Sequence, residues 1–126
     1  MMGKEKIRKF ETGAIRDVDF DKLDYDGFLS PIAVRRFALY MHKHRTLKDG
    51  TLRDSDNWQK GIPKAQYRKS LFRHIIDAWT ILRGWMVKTK EGEDIEDLLC
   101  AIIFNSQGLL HEILREKINN EKEIRK

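Results

Sequence analysis

An all-α domain is what this sequence predicts, and three observations predict it. Apolar residues recur at helical spacing in three long stretches, 31–43, 63–83 and from 92 or 93 to about 115. No stretch alternates apolar and polar residues with the period of two that a half-buried strand requires. The stretches are divided by helix-boundary residues, Pro31, Pro63 and Gly84. The expected architecture is a small helical bundle of three main helices with a long N-terminal ordered loop, assembled as an oligomer.

Residues 1–13 are charged and weakly patterned, which predicts a flexible N-terminal arm or a segment swapped within an oligomer. The segment GAIRDVDFDKLDYDGF places Gly and Asp at short intervals without a sustained period and reads as an ordered loop anchored by Phe20, Tyr25 and Phe28. Ser30 as N-cap and Pro31 at the first helical position start the first helix, with Val34, Phe37, Ala38 and Met41 as its core stripe and its end near Lys43 or His44. Thr46 to Ile62 is polar, with Asp49-Gly50 as a turn and Trp58 either pinning the loop or offering a stacking platform. The second helix runs from Pro63 to about Arg83, with Tyr67, Leu71, Phe72, Ile75, Ile76, Trp79 and Leu82 as core face and Gly84 as C-terminal cap. The third begins at Gly92 or Glu93. The domain is expected over 14–116, followed by a charged tail, 117–126, as a frayed helical extension.

The chain has 126 residues, enough for one domain with a core that needs neither disulfide nor structural metal. Its single cysteine, Cys100, lies in an apolar run and reads as a small hydrophobe in a reducing compartment. His42, His44, His74 and His111 lack zinc spacing. The longest apolar run, Leu98 to Phe104, is too short to span a bilayer, and the first residues lack the apolar core of a signal peptide, so a cytoplasmic protein without a membrane partner is expected. Formal charge is +5, unevenly spread: Arg35 to Arg73 holds eleven Lys or Arg against three Asp, whereas Glu91 to Glu112 holds six acids and no cation. The basic half suits a polyanion and the acidic helix a cation, or the two pair with each other.

The third helix is the most informative. At 100° per residue, Asp94, Asp97, Ala101, Asn105, Gly108 and Glu112 form one polar or small stripe on a helix otherwise ringed by Leu98, Leu99, Ile102, Ile103, Leu109, Leu110 and Ile113. Such a stripe is expected to face a cleft or a partner helix, the alternative being the solvated face of an amphipathic helix. On the second helix, Arg73 and His74 lie four and three residues before Asp77, within side-chain reach. With these helices antiparallel, Asp77 is expected to face Glu93, Asp94 and Asp97 across a groove, a set of oxygen ligands suited to Mg²⁺. Gly-rich phosphate loops, a Gly-x-Ser-x-Gly elbow and an adjacent His-Asp pair are absent from the sequence.

The order of motifs, GAIRD with DKLDYD, SPIAVRRFA, DNWQKGIP, YRKSLFRHIIDAW and EDLLCAIIFNSQGLLHE, resembles the phage and prophage domain family described as dATP/dGTP diphosphohydrolase, N-terminal, over residues 11 to 115. The resemblance implies an α-helical nucleotide pyrophosphohydrolase of MazG-like type, in which Mg²⁺ held by carboxylates of two helices positions water against the α-phosphate of a nucleoside triphosphate. It carries over to Asn57, Trp58, Lys60 and Gly61 in the loop, Arg73 and His74 on the second helix, and Glu96, Asp97 and Asn105 on the third. The MazG-type pairs Glu-x-x-Glu and Glu-x-x-Asp are replaced here by His74-x-x-Asp77 and Asp94-x-x-Asp97.

The resulting expectation is a Mg²⁺-dependent enzyme that hydrolyses purine deoxynucleoside triphosphates, dATP and dGTP, to monophosphate and pyrophosphate. Asp77, Glu96 and Asp97 are the expected catalytic carboxylates, and Asp77, Glu93, Asp94 and Asp97 the metal ligands. Asn57, Trp58, Lys60, Arg73, His74 and Asn105 are the expected purine nucleotide contacts, with Lys60 and Arg73 on phosphates and Trp58 on the base. The rival reading is a non-catalytic relative that sequesters a nucleotide or nucleotide-derived signal. A nucleic-acid-binding module ranks third, because the acidic helix would repel a nucleic-acid backbone.

Overall fold

The computed structural model describes residues 7–17 and 22–125, which fall into two compact units divided between Ala33 and Val34. The architecture is all-α, with α1 at Tyr25–Phe28, α2 at Pro31–Lys43, α3 at Lys64–Leu82 and α4 at Ile95–Arg125.

In the N-terminal unit, residues 7–9 of the stretch expected as an arm pair with residues 15–17. β1 (Ile7–Lys9) and β2 (Ile15–Asp17) form an antiparallel hairpin in the register Ile7 to Asp17 and Lys9 to Ile15. The turn is closed by the Gly13 N–H donating to the Phe10 carbonyl, and Gly13 takes a positive φ of 89°. Strands of three residues carry too little alternation to be read as a period, which is why the pattern was silent. The expected anchors behave differently from plan. Phe20 lies outside the described residues; Tyr25 and Phe28 sit on α1 with their rings exposed. Asp24 caps that turn by accepting from the Gly27 N–H at 2.9 Å. Ser30 caps α2 as expected, accepting from the Ala33 N–H at 3.2 Å.

In the second unit α3 and α4 pack side by side, the most extensive helix contact among the described residues. Gly84, at φ +81°, ends α3, and a turn built on Thr89 and Gly92 leads into α4. Thr89 accepts from the Glu93 N–H through its hydroxyl and is itself buried. The polar and small stripe of α4 is its buried side: Ala101, Asn105, Gly108 and Glu112 are covered, with Leu98 beside them. Tyr67 of α3, 1% exposed, lies directly over Gly108, where any side chain would meet its ring. α2 meets another side of α4 through a cluster of Tyr40, Cys100 and Ala101, with Phe37 and Met41 packed against it.

The expected core faces need correction. On α2, Val34 and Ala38 are exposed; on α3, Phe72, Ile76, Trp79 and Leu82 are exposed while Tyr67 and Ala78 are buried. Apolar spacing identified the helices but not the side that turns inward, because α3 turns inward the side whose Tyr67 fits over Gly108. α4 also continues unbroken as helix through most of the expected tail.

Candidate functional site

A cavity of about 550 Å³ opens between α2, the loop 44–62 and α4. Its apolar wall comes from Phe37, Met41, Trp58 and Phe104; His42, His44, Arg45 and Arg53 supply cationic or titratable side chains. Local turn chemistry brings the two arginines together. Asp49 accepts from both the backbone N–H and the hydroxyl of Thr51, at 3.0 and 2.6 Å, which holds its carboxyl below the usual range. Gly50 supplies a positive φ, and a bridge between Thr46 and Leu52 closes a small hairpin. Arg45 and Arg53 therefore become cross-hairpin neighbours, with Arg45 Nε donating to the Arg53 carbonyl at 2.8 Å.

Beside them, the His44 ring lies 4.2 Å from the Tyr40 ring, centroid to centroid. His44 Nδ1 is 2.8 Å from the Tyr40 carbonyl, which can only accept, so Nδ1 donates and Nε2 is left for a further contact. Burial, and then the negative charges of Glu93 and Asp97, push the Tyr40 phenol up to about 12, so it stays neutral.

Trp58 pins the loop and walls the cavity at once. It sits in a 3₁₀ turn, Asn57–Lys60, and packs edge-on against His111 at 4.9 Å and Phe104 at 6.3 Å. Arg115 fixes the same turn by donating from Nη1 to the Gln59 carbonyl at 3.1 Å and from Nη2 to Glu112 at 2.9 Å. Asn57 lines the cavity with Trp58; Lys60, at the end of the turn, is exposed and does not.

The carboxylates at the start of α4 gather elsewhere. Asp94 and Asp97 cap one another: the Asp97 N–H donates to Asp94 Oδ1 at 2.9 Å and the Asp94 N–H to Asp97 Oδ2 at 3.2 Å. Arg36 of α2 then closes on the group, its Nε 2.8 Å from Glu96 Oε1 and its Nη2 3.0 Å from Asp97 Oδ1. Burial alone would raise the Asp97 carboxyl, but the Asp94 N–H and the Arg36 guanidinium outweigh it and hold the group below its ordinary value. Arg36 is correspondingly raised, by Glu96 first and then Asp97. Its Nη1 also approaches Cys100 Sγ at 3.8 Å, and that buried thiol is pushed up by desolvation, in keeping with a packed hydrophobe.

Among the described residues no three acids, histidines or cysteines converge as a metal would require. Asp97 has both oxygens engaged, by the Arg36 guanidinium and the Asp94 N–H, and Asp94 caps the start of α4. Asp77 and Glu93 are half-buried on α3 and just before α4. Arg73 donates to Ser70 at 3.3 Å, and no ion pair joins it to Asp77 among the described residues. Asn105 is buried with its amide donating to the Ala101 carbonyl at 2.8 Å, a bond internal to the helix. His74 has a buried Nδ1 without a hydrogen-bond partner, as have Tyr67 Oη and Glu112 Oε2.

Sequence reading thus named two cavity residues, Asn57 and Trp58, and the acids at the α4 start, but passed over Arg36, Arg45 and Arg53. Arg36 could have been found from charge alone, since an acidic helix start half-covered by protein calls for a cation, and SPIAVRRFA supplies one at helical reach. No protein-family model, no curated protein and no solved structure matches this chain.

Proposed function

We propose that this protein binds a purine nucleotide in the Trp58 cavity and, with Mg²⁺, hydrolyses dATP and dGTP to monophosphate and pyrophosphate, working as a homo-oligomer in the host cytoplasm of a phage. The observation that carries the binding half is the cavity itself. Its volume lies in the range of small-molecule sites. The aromatic wall of Trp58, Phe104 and Phe37 suits a planar base, and Arg45, Arg53, His42 and His44 suit phosphate oxygens. The hydrolytic half rests on the motif order and on the carboxylates before and within the first turn of α4, not on an assembled metal site.

A second reading, sequestration of the nucleotide without reaction, is favoured by the Arg36 clamp, which occupies Glu96 and Asp97 in the single chain. Incubation of the full chain with each deoxynucleoside triphosphate, with and without Mg²⁺, resolves the two by anion-exchange chromatography. Monophosphate and pyrophosphate formed only with metal support the enzyme; intact nucleotide retained on the protein supports the sequestering reading. Binding followed by calorimetry should weaken about tenfold in Arg53→Ala, the loss of one charge-assisted phosphate contact. Unchanged affinity in that variant and in Trp58→Ala would remove the cavity from the proposal.

A further inference from the structure

Each helix of the α3/α4 pair leaves one apolar row uncovered. On α3, Phe72, Ile76 and Trp79 follow one another by four and three residues, and each is more than half exposed. On α4, Leu99, Ile103 and Leu110 are between 41% and 56% exposed, with Ser106 completing the spacing of four, three and four. That alternation is the seam of helices that pack on other helices. At 100° per residue, α3 covers α4 on the side of Gly108, under Tyr67, and α2 on the side of Asp97 and Cys100, so the row through Leu99, Ile103 and Leu110 occupies the side left over. On α3 the row likewise lies away from Tyr67 and Ala78, which face inward.

We infer that these two rows are the surface through which a second copy of this chain docks, two α3/α4 hairpins closing into one four-helix bundle. This deepens the homo-oligomer part of the proposed function by naming its interface. Area argues for it. At roughly 180 Å² for a large side chain fully exposed, the six residues with Leu82 and Trp85 leave about 800 Å² of apolar surface, the share one partner contributes to a stable interface. A monomer ordinarily carries a largest patch of about 300–600 Å². Shape argues for a second copy in particular, because one row is large and aromatic and the other smaller and aliphatic. A two-fold arrangement sets each against its counterpart, and a two-helix hairpin is half of such a bundle.

Light scattering on the full chain eluting from a sizing column tests this without any nucleotide. The expected mass is twice 15.0 kDa or a higher multiple. Trp79→Glu and Ile103→Glu, one on each row, should each lower it to the single-chain value with helical circular dichroism retained. Ser106→Leu fills the gap in the α4 row and should tighten association several-fold, a gain that misfolding cannot imitate. A wild-type mass of one chain at about 100 μM, well above the dissociation constant of an interface this size, overturns the proposal. An assembled protein whose mass neither Glu variant lowers overturns the surface while leaving the oligomer. Neither result touches the nucleotide reading, which chromatography decides separately.

Discussion

Two sides of α4 depart from the ordinary rule of burial in opposite directions. Under α3 the helix buries Asn105 and Glu112, at 5% and 7% exposure; on its uncovered side it leaves Leu99, Ile103 and Leu110 in solvent. Apolar transfer therefore did not choose which side α3 covers. Close fit did: Gly108 is small enough for α3 to approach, and the Tyr67 ring fills the space above it. The hairpin is held by shape, with the buried Asn amide satisfied inside its own helix and Glu112 held by Arg115. The larger hydrophobic term remains available for association.

The comparison breaks first at Gly108. A methyl there falls inside the Tyr67 ring, which is wholly buried and walled by Phe104, centroid to centroid 5.8 Å away. Gly108→Ala is expected to lower stability by about 2 kcal/mol, even after the roughly 1 kcal/mol that Ala gains over Gly in a helix. The melting temperature should fall by several degrees at every protein concentration, read by circular dichroism. An unchanged melt would mean that the ring swings aside and that fit does not hold the hairpin. The uncovered side should behave otherwise. Ile103→Ala is expected to cost about 1–2 kcal/mol in the associated protein and under about 0.5 kcal/mol once dilution separates the copies. Wild-type melting should accordingly rise with protein concentration. A cost independent of concentration would place both sides of α4 under the same rule.

How much of this was legible follows from the same contrast. The extents of α2 and α3 followed from Ser30, Pro31, Pro63 and Gly84, because caps and breakers act locally. The inward face of α4 was also readable, since a polar and small stripe on an apolar helix has to meet something. The inward face of α3 was not: Phe72, Ile76 and Trp79 satisfy the periodicity of a core as well as Tyr67, Leu71 and Ala78 do. Only the match to Gly108 separates the two sets. At the site, Trp58 stood out as a large aromatic in a polar loop. Arg45 and Arg53 did not, because the hairpin that pairs them depends on Asp49, Gly50 and Thr51 together. The acids at the α4 start were visible as a group, yet their use by Arg36 is a contact 61 residues apart in sequence, beyond any local pattern.

The smallest effect, and the most specific in its conditions, belongs to the third side of α4, where α2 is joined by charge as well as by packing. Glu96 is largely solvated, so only the bond to Asp97, whose side chain is 20% exposed, is expected to register. The Asp97 carboxyl is held below its ordinary value in the fold. A depressed carboxylate contributes stability that is present above its unfolded value, about 3.9, and is lost as pH falls through the folded one. Arg36→Met keeps most of the aliphatic stem and removes the guanidinium. Urea unfolding should therefore show the variant less stable than wild type by a constant margin from about pH 5 to 8, with the margin closing below about pH 4. The margin should be a fraction of the Gly108→Ala loss and should shrink with added salt. A margin that persists unchanged in acid would assign the effect to packing of the guanidinium against Cys100 Sγ, 3.8 Å away. In that case α2 and α3 would hold α4 by the same means, and electrostatics would have no separate part in the fold.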